Sequence, residues 1–286
     1  MSNEIQKYDD TINSVSTLLK AYADTVSDTA LGLKIQELSE QTITTVKGIE
    51  GPQRSRITQL MLKQNMSNSS MIPSNTAAGQ LYTSKSDHIG DNLEFIPIFT
   101  HNMRTKWGDD KVECRSLDAI TGSKYGECAK CPYGRYVPDE RPDCSKGLSY
   151  YVMASDLSAL YKIDFIKTSA KAGRSISQLA SPPHLWTRSF ILSSERVVQP
   201  KVNYFILKVA VTNHRTSPEV AKVCDMLFEF FQNSYRKAVL MQAEYSRMGT
   251  TGGGGGGGGA GGGGAGGVIP AEGEEVPQEI NFRDSV

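Results

Sequence analysis

The 286 residues carry 31 Lys and Arg against 31 Asp and Glu, but the charges are unevenly placed. Residues 1–50 hold eight acids and four bases and residues 268–286 hold five acids and one base, so residues 51–267 keep 26 bases against 18 acids, a net of +8. A basic body between acidic ends is the layout expected of a protein with a polyanionic partner. No apolar run approaches the roughly 20 residues that cross a bilayer, and no basic start followed by an apolar stretch marks an export signal, so a soluble, untargeted chain is expected.

Ile5, Tyr8, Ile12, Val15, Leu19, Tyr22 and Val26 recur at alternating spacings of three and four, one stripe of an amphipathic helix over about residues 3–28. Leu31, Ile35 and Leu38 predict a second helix ending before Gly48 and Gly51-Pro52. Such a stripe either forms a coiled coil or is buried against the body of its own chain. These helices make up an amino-terminal region over residues 1–50. Residues 51–91 read as a flexible connecting arm: a short helix around Ile57 to Gln64, then Asn65 to Gly90, rich in Ser, Asn, Thr and Gly without a stable period.

From Asn92 the pattern turns strand-like. Leu93 to Trp107, a turn at Gly108-Asp109-Asp110 and Lys111 to Leu117 predict a hairpin. Strands are expected again at Leu148 to Ala154 and Leu160 to Ile166, then a helix capped by Thr168 or Ser169 and running to about Leu179, then strands at Leu185 to Val197 and Tyr204 to Val211. Ser217-Pro218-Glu219 places a capping residue before a proline at the first helical position. It opens a helix through Phe228, Phe231 and Tyr235 to about Met248, whose apolar face must pack on the sheet or on another subunit. Five or six strands with one helix between them predict an α+β fold with an OB-like β-barrel core over residues 92–248.

Gly252 to Gly267, broken only by Ala260 and Ala265, has no apolar surface to bury and reads as a disordered linker over 249–267. It lacks the preceding strand, the following helix and the Lys-Ser/Thr pair of a phosphate loop. In the tail, residues 268–286, Glu272, Glu274, Glu275, Glu279 and Asp284 surround Val276, Ile280 and Phe282, the composition of a recognition segment.

The chemistry concentrates at Cys114, Cys128, Cys131 and Cys144. The two-residue gap in Cys128-Ala129-Lys130-Cys131 lets one turn of backbone aim two thiolates at one centre, and the outer cysteines complete a tetrahedron. The expected cofactor is a structural Zn2+ that stands in for the missing hydrophobic core of a segment rich in Gly, Pro and Asp. Two disulfides or four unligated thiols are the alternatives. A catalytic zinc would need an open position and a neighbouring base, and Glu127 lacks the His-x-Glu setting of zinc deaminases. The histidines are scattered, no catalytic constellation stands out, and a non-enzymatic protein is expected. Cys224 reads as a buried free thiol in the last helix.

Cations and aromatics alternate around the cysteines. Candidate nucleic-acid contacts are Arg104, Lys106, Trp107, Arg115, Lys130, Tyr133, Arg135 and Tyr136, followed by Tyr150, Tyr161, Lys171, Arg174, Arg188 and Lys208. Cations neutralise phosphates while aromatic faces stack on unpaired bases, together giving tight binding with little sequence preference.

The middle of the chain, about residues 53–215, resembles a family of bacteriophage single-stranded DNA-binding proteins with an OB-like fold and a cysteine-rich zinc insertion. The resemblance rests on Phe95-Ile96-Pro97-Ile98, Trp107-Gly108, Cys114-Arg115-Ser116 with Gly122, Gly126-Glu127-Cys128-Ala129-Lys130-Cys131-Pro132, Cys144, Thr168-Ser169-Ala170-Lys171-Ala172, Leu185-Trp186 and Tyr204-Phe205. It departs at Asp118-Ala119, where related sequences often carry Asp-Gly. The resemblance implies a protein that coats single-stranded DNA in phage replication or recombination in the cytoplasm of an infected bacterial host. It also implies an acidic tip that recruits replication or recombination proteins. The competing expectation is a structural or assembly protein that forms homo-oligomers through its amino-terminal helices.

Overall fold

The computed structural model describes residues 16–41, 57–65, 67, 72–108, 112–135, 142–180, 184–200 and 202–250, without the side chains of 202 and 245–250. The first half of the expected amino-terminal stripe, Tyr136, the glycine-rich linker from residue 251 on and the acidic tail lie outside the described residues, while Gly249 and Thr250, expected in the linker, end the last helix. The architecture is mixed α+β: a strongly curled sheet, compatible with a barrel-like core, with helices on its outer face and at one end.

Described in chain order, the helices and strands are α1 (16–23), α2 (Thr29–Gln41), β1 (Thr58–Leu62), β2 (Leu81–Thr83), β3 (His88–Gly90), β4 (Asn92–Trp107), β5 (Val112–Ser116), β6 (Thr121–Gly122), β7 (Gly126–Glu127), β8 (Cys144–Ala154), β9 (Leu160–Ile166), α3 (Ala170–Leu179), β10 (Arg188–Gln199), β11 (Val202–Arg215) and α4 (Pro218–Thr250). The main sheet runs β11-β10-β4-β8-β9-β1-β2-β3, with β5 paired to the far end of β4. All its pairings are antiparallel except that of β1 with β9.

The predicted hairpin of β4 and β5 forms, with Lys106 opposite Cys114 and Arg104 opposite Ser116. The segment expected as a helix around 57–64 is instead strand β1, and the expected flexible arm contributes β2 and β3 to the sheet. Leu60, Met61 and Leu62 fit either period, and pairing with β9 and β2 overrides a helix-permissive composition. Ser169 stands at the start of α3 but does not cap it; its hydroxyl accepts from the Leu207 amide at 3.2 Å. α4 begins as expected, with Val220 N–H donating to Ser217 Oγ at 3.3 Å.

Alternation along the strands sorts side chains between two cores. Phe95, Tyr150, Val152, Ile163, Phe165, Phe190 and Leu192 fill the concave side of the sheet. Burying each such aliphatic or Phe side chain contributes about 1.5–3 kcal/mol. α3 closes the end of this core. Gly173 sits so tightly on Phe165 that a Cβ would stand 2.8 Å from the Phe165 Cβ and 3.0 Å from the first ring carbon. The opposite face carries Ile96, Phe99, Tyr151 and Met153, covered by Leu19, Ile35 and Leu38 of the first two helices and by Val223, Leu227 and Phe231 of α4. The amino-terminal stripe, where described, is therefore buried against its own chain. Asp28 Oδ1 starts α2 by accepting from the Ala30 and Leu31 amides at 2.9 and 3.2 Å.

The sheet curls far enough for the residues after β1 to reach β11. Gln64 donates Nε2–H to Phe205 O and accepts from Phe205 N–H, both at 2.9 Å. Asn65 Nδ2 donates to Asn203 O at 3.0 Å.

Candidate metal and nucleic-acid site

β5, β6, β7 and the 3-10 turn Pro132–Gly134 build a small module on the end of β4 and β8. Asp118 organises its first bend. Its Oδ1 accepts from Ser116 Oγ and from the Ile120 and Thr121 amides, all at 2.8 Å. Burial opposes ionisation of Asp118, but these donors outweigh it and hold the carboxyl below its usual range. Ala119 pays with a left-handed φ of 62°.

Cys114, Cys128, Cys131 and Cys144 line one cavity in this module together with Arg104, Lys106, Tyr125 and Tyr133. All four are free thiols, as is Cys224. Cys114 and Cys128 are buried, whereas Cys131 and Cys144 are half-buried. Gly122 lets two sulfurs approach the β6 backbone: a Cβ there would stand 2.9 Å from Cys114 Sγ and 3.9 Å from Cys128 Sγ. Burial raises the Cys128 and Cys144 thiols, against the Arg104 charge that favours their ionisation. Among the described residues no three His, Cys, Asp or Glu side chains already stand as a group that could hold a metal ion. The donor set itself, four thiols around one space, has the composition of a closed tetrahedral site for a soft divalent cation. Arg104 Nε is buried without a hydrogen-bond partner, and thiolates in the adjoining cavity would give that donor an acceptor. Cys224 lies apart, fully buried in the α4 core, and burial pushes its thiol up.

Beside the cavity, Lys106 lies 4.3 Å from the Tyr133 ring centroid and 5.9 Å from that of Tyr125, with the two rings 4.9 Å apart. Lys106, Lys124 (2.7 Å) and the Tyr125 hydroxyl converge on Glu113. Lys106 first, then Lys124 and Tyr125, hold the Glu113 carboxyl down to about 2. Trp107, the last residue of β4, is 45 % exposed. Lys130 and Arg135 project to solvent, Lys130 paired with Glu127 at 2.7 Å.

The expected contacts thus divide. Arg104, Lys106, Trp107, Arg115, Lys130, Tyr133 and Arg135 sit on the module or its root. Lys171 and Arg174 are exposed on α3, Arg188 starts β10, and Lys208 pairs with Glu195 at 2.5 Å on β11. Tyr150 and Tyr161 belong to the concave core, a correction to their reading as stacking residues. Tyr150 is 0 % exposed and its hydroxyl donates to Gly173 O at 2.9 Å and meets Ser177 Oγ at 2.7 Å. A strand aromatic on the interior face packs; it presents no surface to a base.

Sequence reading missed a charged floor on the outer face of the sheet, between α4 and the module. Asp164, its side chain 6 % exposed, gathers Arg115 Nη2 at 3.2 Å, Lys162 Nζ at 3.4 Å, Ser149 Oγ at 2.7 Å and Gln59 Nε2 at 3.2 Å. Burial lowers the Lys162 ammonium despite Asp164. The alternation of Leu160 to Ile166 already puts Lys162 and Asp164 on one face; the 49 residues separating Arg115 from Asp164 hide the third partner. On the same face His101 packs on Tyr235 at 4.7 Å between centroids, and its Nδ1 donates to Leu117 O at 2.8 Å and Asn102 O at 3.0 Å. Both acceptors are carbonyls, so Nδ1 carries the proton.

Comparison with family models, with curated proteins and with solved structures finds no match for this chain.

Proposed function

We propose that this chain is a non-enzymatic single-stranded DNA-binding protein of the bacteriophage kind, acting in replication or recombination within an infected bacterial cell. In this reading Cys114, Cys128, Cys131 and Cys144 hold a structural Zn2+, which supplies a rigid cross-link to a module with little core of its own. The observation that carries the reading is the grouping of cations and aromatics around the cysteine cavity: Lys106 between Tyr125 and Tyr133, exposed Trp107, and solvent-facing Lys124, Lys130 and Arg135. Phosphates need the first kind of group and unpaired bases the second. The ion pairs of Lys124 and Lys130 are exposed, the kind worth little in water, so a phosphate can replace the carboxylate at small cost. A net charge of +8 over residues 51–267 supplies long-range attraction. The acidic carboxy-terminal segment recruits protein partners.

Fluorescence anisotropy of labelled oligo-dT and of a matching duplex, at two salt concentrations and on protein of assayed zinc content, tests this. Preference for the single strand that weakens with salt is the expected result. Folded, zinc-loaded protein that ignores oligo-dT at low salt would sink the proposal.

A further inference from the structure

Leu117 and Arg115 lie at the root of the cysteine module, and a helix more than a hundred residues away holds both. Gln242 of α4 accepts from Leu117 N–H through Oε1 at 3.0 Å and donates from Nε2 to Arg115 O at 2.7 Å. In an extended strand the carbonyl of one residue and the amide two residues on point to the same edge, and a parallel neighbour would bond that pair with a single residue. The Gln242 carboxamide therefore supplies the donor and the acceptor that one residue of a parallel strand would offer, on the edge of β5 where Arg115 O also accepts from Ser123 N–H at 2.9 Å.

The same short stretch is held from a second direction by His101, whose Nδ1–H bonds Leu117 O. His101 is itself pressed under Tyr235. Tyr235 and Gln242 are seven residues apart, two helical turns, which puts them on one face of α4. That face is seated on the sheet by Phe231 on Tyr151 at 4.7 Å and by Phe228 on Phe99 at 6.0 Å. Cys114 and Arg115 both project from the strand thus fastened, Cys114 into the cavity and Arg115 onto Asp164 at 3.2 Å.

We infer that Gln242 is a positioning residue: the latch by which α4 fixes the cysteine module, with its cations and aromatics, against the outer face of the sheet. The effect on DNA rests on the binding reading above; the latch itself does not. The test compares full-length Gln242→Met, similar in length but without both hydrogen bonds, with Gln242→Glu, which keeps the acceptor for Leu117 N–H. Amide exchange at single-residue resolution is measured without DNA, and oligo-dT affinity on the same samples. Gln242→Met should speed exchange at Leu117 while Ile163 and Phe165 in the concave core stay protected, and should weaken oligo-dT binding on the order of threefold to tenfold. Gln242→Glu should keep the Leu117 amide slow, which a change in packing alone does not explain. Unchanged exchange at Leu117 in Gln242→Met overturns the latch. Faster exchange with full oligo-dT affinity overturns the positioning role. Wild-type protein that binds no oligo-dT removes the binding reading, while the exchange result still decides the latch.

Discussion

Ala119 offers a stability test that reads the module's first bend directly. Its φ of 62° places a Cβ-bearing residue in the left-handed region, with Asp118 on one side holding the Ile120 and Thr121 amides. For an L-residue that conformation costs roughly 1–2 kcal/mol against the right-handed well. Ala119→Gly removes this cost and adds unfolded-state freedom worth roughly 0.5–1 kcal/mol. The net expectation is a gain of about 0.5–1 kcal/mol. Near the melting temperature that is a rise of about 1–4 °C for a body of this size. Ala119→Val should move the other way, because branching at Cβ worsens the clash. Urea unfolding followed by far-UV circular dichroism gives the order Gly above Ala above Val. A Gly variant no more stable than wild type, or a Val variant equal to it, would refute the account of this bend.

Tyr150→Phe removes a buried hydroxyl that serves Gly173 O and Ser177; it should cost about 1–3 kcal/mol in urea unfolding and leave oligo-dT affinity unchanged. His101 is held below its ordinary range first by burial, so the unfolded chain takes up a proton before the folded one does. Its contribution to stability is complete above a pH of about 6.5 and is lost as pH falls through that value toward the folded pKa. Wild type should therefore lose more stability than His101→Phe between about pH 7.5 and 5.5, and parallel curves would remove His101 as the cause. Thiol titration of native, zinc-loaded protein should find the five cysteines slow to react, with four becoming reactive on chelation and buried Cys224 only on unfolding. Rapid labelling of all four module cysteines before chelation would count against the metal. Gly122→Ala, which pushes a methyl into Cys114 Sγ, should lower zinc retention in dialysis against a chelator.

What could be read from residue order alone was whatever is local or periodic. The β4–β5 hairpin, strands β8 and β9, the Ser217-Pro218 start of α4 and the gathering of the four cysteines all follow from spacing or turn chemistry. β1 could not be read, because Leu60-Met61-Leu62 suits a helix as well as a strand and its partners lie in β2 and β9. β2 and β3 are three residues each, too short for any period to show. Tyr150 and Tyr161 carry the same ring as an exposed stacking residue; only the register that turns them inward tells them apart. The Asp164 cluster and the Gln242 bonds join residues far apart in sequence, and a lone Gln or Asp carries no mark of such a partner.

The side chains that meet β11 bear on how these molecules behave when crowded. Asn65 takes Asn203 O, Gln64 takes both polar groups of Phe205, and Ser169 takes Leu207 N–H: three successive alternate residues, those whose polar groups point away from β10. A neighbouring molecule seeking to add a strand along this stretch must first dislodge three separate groups. Because each is a side chain rather than a strand, the margin is sealed without committing another segment to a fixed register. Molecules crowded together at high concentration can then lie side by side without their sheets fusing into one.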